Sequence, residues 1–149
     1  MAEKRFDVTA LGELLIDFTE NGSSEQGNVL FEANPGGAPC NVLAMLQKLN
    51  RKTAFIGKVG ADQFGRLLRK VGEEAGICMD GLAEDKTVPT TLAFVHKLEN
   101  GDRDFSFYRG PGADRTLTAQ EISRPIVENC KIFHFGTLSL THEPVRSAT

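Results

Sequence analysis

The chain has 149 residues, a formal charge of −3 and 40% hydrophobic content, enough for one ordinary core and too little for two. Lys and Arg form no run, so the electrostatic footprint of a nucleic-acid or membrane-surface binder is missing. Cys40, Cys78 and Cys130 are odd in number, widely spaced and without a C-x-x-C pair, which supports neither a disulfide framework nor a zinc site and fits reduced thiols in a cytosolic protein.

Phe6 to Leu11 predicts a short buried strand closed by Gly12. Asp17 follows the apolar Leu14-Leu15-Ile16, where this first strand is expected to leave the core. A carboxylate there can accept two hydroxyl hydrogen bonds, as a polyol site requires, or it can be a solvated turn residue. Asn28 to Asn34 predicts an extra strand. The stretch "ANPGGAPCNV", Ala33 to Val42, then places Gly36 and Gly37 at the start of a helix over Pro39 to Leu49, with Val42, Leu43, Leu46 and Leu49 on one face. The turn fits neither G-x-x-x-x-G-K-[ST] nor G-x-G-x-x-G, which argues against a nucleotide loop. It is either a structural helix start or a backbone cradle for a neutral polar ligand. Asn41, one turn into that apolar helix, needs partners for its amide, and a sugar hydroxyl or neighbouring backbone would serve.

Thr53 to Val59 predicts a second core strand, and a helix follows over Asp62 to Ala75, capped by Asp62 and buried through Phe64, Leu67, Leu68 and Val71. Thr90 to Arg109 reads as a hairpin turned at Asn100-Gly101, with Arg109 ending it as a candidate ligand donor. Lys131 to Phe135 predicts a third core strand carrying His134 as a core histidine. At the end, Thr141 as cap and Pro144 in a first turn suggest a helix that begins and then stops at Thr149, as though the sequence were cut. Strands alternating with helices give an α/β unit with parallel strands, and the additional strands give a small second sheet.

The ordered motifs "LGELLIDF", "NPGGAPCNV", "FIGKVGADQFG", "TTLAFV", "FYRGPGAD" and "IFHFGTLSL" resemble the first half of a ribokinase-like (PfkB) sugar kinase, bacterial fructokinases in particular. The resemblance implies a mostly parallel sheet flanked by helices with a small β lid, residues 1–149 being the N-terminal half of one kinase domain and segments about 14–34 and 90–110 the lid. It implies that Asp17, Gly36, Gly37 and Asn41 hold sugar hydroxyls, that Arg109 stands on the lid side, and that the lid can form a homodimer contact. It also implies ATP and Mg²⁺ in the complete enzyme. The Gly-Ala-Gly-Asp motif that supplies this family's catalytic base and anion hole does not occur in the chain. The base is therefore expected beyond Thr149, and no catalytic residue and no metal ligand is expected in residues 1–149, which should be inactive alone. A naturally short sugar-binding or dimerisation module, or a kinase of another sugar, riboside or keto-deoxy sugar acid, is the alternative.

Overall fold

The computed structural model of the protein describes residues 4–97 and 103–149. In chain order the elements are β1 (Phe6–Leu11), β2 (Leu15–Ser23), β3 (Val29–Gly36), α1 (Ala38–Lys48), β4 (Thr53–Gly60), α2 (Gln63–Glu74), β5 (Cys78–Asp85), β6 (Leu92–Lys97), β7 (Arg103–Tyr108), α3 (Arg124–Glu128), β8 (Cys130–Phe135) and α4 (Val145–Ala148), with 3₁₀ turns at Ala113–Thr116, Ala119–Glu121 and Thr137–Thr141. The main sheet runs β5-β4-β1-β8 and is parallel throughout. The second runs β3-β2-β6-β7, with antiparallel pairs at both edges and a parallel β2–β6 pair in the middle. This is the α/β unit with a small second sheet that the sequence predicts.

Helices cover both faces of the main sheet, which is why β4 is buried along its whole length and reads as a continuous apolar run. Leu43 of α1 and Leu68 of α2 pack with Val8, Ala10 and Phe55 on one face. On the other, Phe6, Leu11 and Ile56 meet Leu117, Ile126 and Val145. Asp62 caps α2 as its position before the apolar stripe predicts, accepting the Gly65 N–H at 2.8 Å.

Several expectations shift. The buried stripe of α1 runs through Pro39, Cys40 and Leu43, while Val42 and Leu49 are exposed, because Cys40 and Ala44, with small side chains, sit closer to the sheet. Asp17 does not end the first strand: β1 stops at Leu11, and Asp17 lies within β2 of the second sheet. The strand β5, masked in the sequence by its acidic residues, forms one edge of the main sheet. At the other edge β8 has no neighbour beyond it among the described residues, and there His134 is half-buried and Ile132, Phe133 and Phe135 are exposed. Thr141 closes a 3₁₀ turn, and Pro144, not Thr141, precedes α4. The Asn100-Gly101 turn lies outside the described residues.

Two polar networks fix the carboxyl end of the main sheet, one of them holding the root of β6. Thr90, at the root of β6, is held through its N–H and hydroxyl by Asp62, both at 2.8 Å, and its hydroxyl oxygen accepts the Gly60 N–H at 3.0 Å. Lys58, buried on β4, pairs with Asp85 at 3.1 Å and Glu121 at 2.8 Å. Asp85 in turn accepts from the Thr87 and Val88 N–H groups and from the Thr116 hydroxyl. The second sheet carries its own aromatic spine: Phe94 stacks on Phe18 at 5.1 Å between centroids and meets Phe31 and Tyr108 edge-on, and Phe64 of α2 closes on Phe18 at 5.7 Å.

Candidate functional site

Strand order in the main sheet reverses at β1, from which the chain builds first β4 and β5 on one side and later β8 on the other. In open α/β sheets ligands bind beyond the carboxyl ends of the strands at such a switch point. The end of β1 here is followed by Gly12-Glu13, the end of β8 by Gly136, and the start of α1 lies across from both. Gly37 enters α1 at φ 122°, a left-handed conformation that a side chain would strain, and a Cβ there would strike the Glu13 carbonyl. Gly36 serves a different end: a Cβ on it would collide with Oδ2 of Asp17. The two glycines therefore bring bare backbone against two acidic residues.

Asp17 is half-buried, and burial pushes its carboxyl above the usual carboxylate range. Strand register places it opposite Asn34 on β3 and Ala93 on β6, and Ala93 opposite Phe107 on β7. Residues directly opposite share a face, so Asn34, Asp17, Ala93 and Phe107 form one row across all four strands. Arg109 follows directly after the end of β7. Its guanidinium is not free: Asp114, 4% exposed, accepts from Arg109 Nε at 2.8 Å and from its Nη2, and takes the Thr91 hydroxyl at 2.5 Å on its other oxygen. Arg109 thus offers a ligand its remaining amino group, locked in direction by Asp114 and Thr91.

Asn41 is exposed, not buried, and with Gly36 it lines a mostly apolar cavity of about 260 Å³ between α1 and α2. Cys40 lines the same cavity, and burial pushes its thiol up to about 11. Arg109 lines a separate cavity of about 330 Å³ with Phe107, Arg115 and His142. Asp17, Gly36, Gly37 and Asn41 are therefore gathered at the β3–α1 turn, and Arg109 stands apart. Asn34, Phe107, Glu13 and Asp114 join the site without having been singled out in the sequence; of these only Glu13, a carboxylate inside the apolar run Leu11–Ile16, carries a local mark. A larger open hollow of about 750 Å³ lies at the opposite, amino ends of the strands, beside Arg5, Arg51 and Lys52, away from the switch point.

The pattern of the pfkB family of carbohydrate kinases matches residues 5–149. The chain belongs to this family. It is 43% identical to fructokinase of Solanum tuberosum over 143 residues, which is 95% of the chain and 45% of that protein, and a rice fructokinase-2 matches at 43% over 95% of the chain and 43% of its own length. Among solved structures, fructokinase from Xylella fastidiosa superposes with a TM-score of 0.90 at 32% identity over 97% of the chain and 45% of that protein. A sugar kinase from Pyrococcus horikoshii in complex with ATP superposes at 0.86, with 32% identity over 95% of the chain and 46% of its own. The chain spans less than half the length of these pfkB relatives. Among the described residues no group of three or more His, Cys, Asp or Glu could hold a metal ion, and no helix is long and apolar enough to cross a membrane.

Proposed function

We propose that this chain forms the acceptor side of an ATP-dependent sugar kinase of the cytosol, a fructokinase that phosphorylates the 6-hydroxyl of fructose. The observation that carries the reading is the clearance of Gly36 for the Asp17 carboxylate in the middle of a strand row that is otherwise small, amide or aromatic. A half-buried carboxylate with no cation paired to it among the described residues grips hydroxyl donors, two at a time, and repels phosphates. Asn41 and the Gly36–Gly37 backbone add further contacts to hydroxyls, and Arg109, in its separate cavity, is assigned to the lid side. Positioning is most of what a kinase does for its acceptor.

The start of α1, filled by Glu13, offers no anion site to a nucleotide phosphate. ATP, Mg²⁺ and the aspartate base are therefore assigned to the portion of the relatives that would follow Thr149. The second sheet acts as the lid, in segments about 14–34 and 90–110, and its exposed Phe105, Phe107 and Tyr108 support a homodimer contact. The test is sugar-dependent ADP release with a panel of hexoses, ribosides and sugar acids, using the protein together with its second half. Fructose should be preferred, and Asp17→Asn should lower kcat/KM for fructose at least about a hundredfold, a loss of roughly 2.7 kcal/mol, with the KM for ATP within threefold. A sugar acid preferred over fructose, or an Asp17→Asn variant within threefold of the parent, overturns the assignment. Sugar phosphorylation by residues 1–149 alone overturns the placement of the base beyond Thr149.

A further inference from the structure

We infer that Glu13 makes the start of α1 selective for neutral hydroxyls, by filling the positive pole of that helix with a carboxylate brought from the end of β1. This deepens the sugar-kinase reading and rests on it for the identity of the neutral ligand. A glycine-rich turn leading into a helix is ordinarily an anion site, because unpaired N–H groups and the helix dipole both favour negative charge. α1 lacks every local means of answering that demand: its N-cap is Gly37, no side chain caps it, and its first turn has no acidic residue. Glu13 supplies the answer from 25 residues upstream, where its Oε1 accepts the Ala38 N–H at 3.2 Å.

The placement is specific. Glu13 is 5% exposed, and buried carboxylates are retained only where something holds them. Its second oxygen is buried without a partner among the described residues. That oxygen lies beside Gly136 at the end of β8, where a Cβ would come within 2.9 Å of it and 2.8 Å of Pro39. The unspent acceptor thus points into the switch point between β1 and β8. An anion approaching the Gly36–Gly37 turn meets this charge and that of Asp17, whereas a hydroxyl, which can donate, does not. Glu13 is a specificity-determining residue acting through the field at the turn.

Inorganic phosphate is the probe. Calorimetric titration of the wild type, Glu13→Gln and Glu13→Asp at matched ionic strength reads its affinity without any need for catalysis. Removing one charge several ångströms from the turn should tighten phosphate binding to Glu13→Gln at least about tenfold, and phosphate should then compete with fructose. Glu13→Asp, which keeps the charge, should stay as weak as the wild type. Equal affinity in the wild type and Glu13→Gln, or tight binding to Glu13→Asp, overturns the inference. Should Glu13→Gln not fold, the wild type together with its second half decides: its fructose KM should not respond to phosphate, and competition between the two overturns the claim. Absence of sugar-dependent ADP release in every variant when the second half is supplied would instead count against the kinase reading, while the phosphate titration still reads.

Discussion

Asp62 should tolerate asparagine almost as badly as alanine, because both of its oxygens face donors. Oδ1 accepts from the Gly65 N–H and the Thr90 hydroxyl, each at 2.8 Å, and Oδ2 accepts from the Thr90 N–H at 2.8 Å. In Asp62→Ala the α2 cap is lost, at about 1 kcal/mol. The N–H of Thr90, a buried residue, is orphaned at a further ~1–3 kcal/mol. Asp62 itself is half-buried, so water can enter from its rim, which places the total in the lower part of that range, about 2–3 kcal/mol. In Asp62→Asn the amide nitrogen must point at one of the donors, so less than about half of the loss should be recovered. The same carboxyl gives a pH signature. Burial alone would raise it, but the N–H groups of Thr90 and Gly65 outweigh burial and hold it below the usual carboxylate range. Its contribution is therefore complete above about pH 4 and is lost as pH falls through the lowered value. Urea unfolding followed by circular dichroism at pH 7, and again down to pH 2, measures both. Because Thr90 roots β6, Asp62→Ala should also raise the sugar KM of the active enzyme. An Asp62→Asn protein within about 0.5 kcal/mol of the wild type at pH 7 would refute the claim that both oxygens are in use.

Asp17→Asn should raise the melting temperature while lowering sugar use, since burial holds the Asp17 carboxyl high and its ionised form destabilises the fold at neutral pH; thermal melts at pH 4 and 8 should show the gain only at the higher pH. Lys58→Met should cost about 3–5 kcal/mol in urea unfolding by leaving Asp85 and Glu121 without their shared cation. Burial lowers the Lys58 ammonium, but Glu121 and Asp85 more than offset this and raise it, so its contribution is complete below about pH 10.5 and is lost only as pH rises through the raised value. With its thiol up at about 11, against 9.0 for an unperturbed one, Cys40 should react with iodoacetamide roughly a hundredfold more slowly than an unfolded control at pH 8, by peptide mass spectrometry.

What the sequence makes legible is chemistry that closes within a few residues. Asp62 declares itself as a cap because its partner, Gly65, is three positions away. The turn at Gly36–Gly37 declares itself because bare backbone before an apolar helix has few uses. Where the chain crosses between sheets, the pattern fails: Leu11 to Ile16 reads as one apolar run, yet the strand breaks at Gly12-Glu13 and restarts in the second sheet, which is why Asp17 changes sheets between reading and structure. The stripe of α1 fails differently, since leucines outrank a cysteine and an alanine in hydropathy but the smaller side chains pack closer. Partners are what the sequence hides most. Arg109 reads as a free fork because its acid lies past a Gly-Pro-Gly bend, and Asp114 can be seen as that acid only once Thr91, 23 residues earlier, is placed on its other oxygen. Glu13 and Ala38, 25 residues apart, meet only because β2 and β3 return the chain to the end of β1. A charged residue inside an apolar run is thus a local sign that a distant donor exists. Which donor it is, and so whether the site welcomes phosphates or hydroxyls, is decided by sheet register.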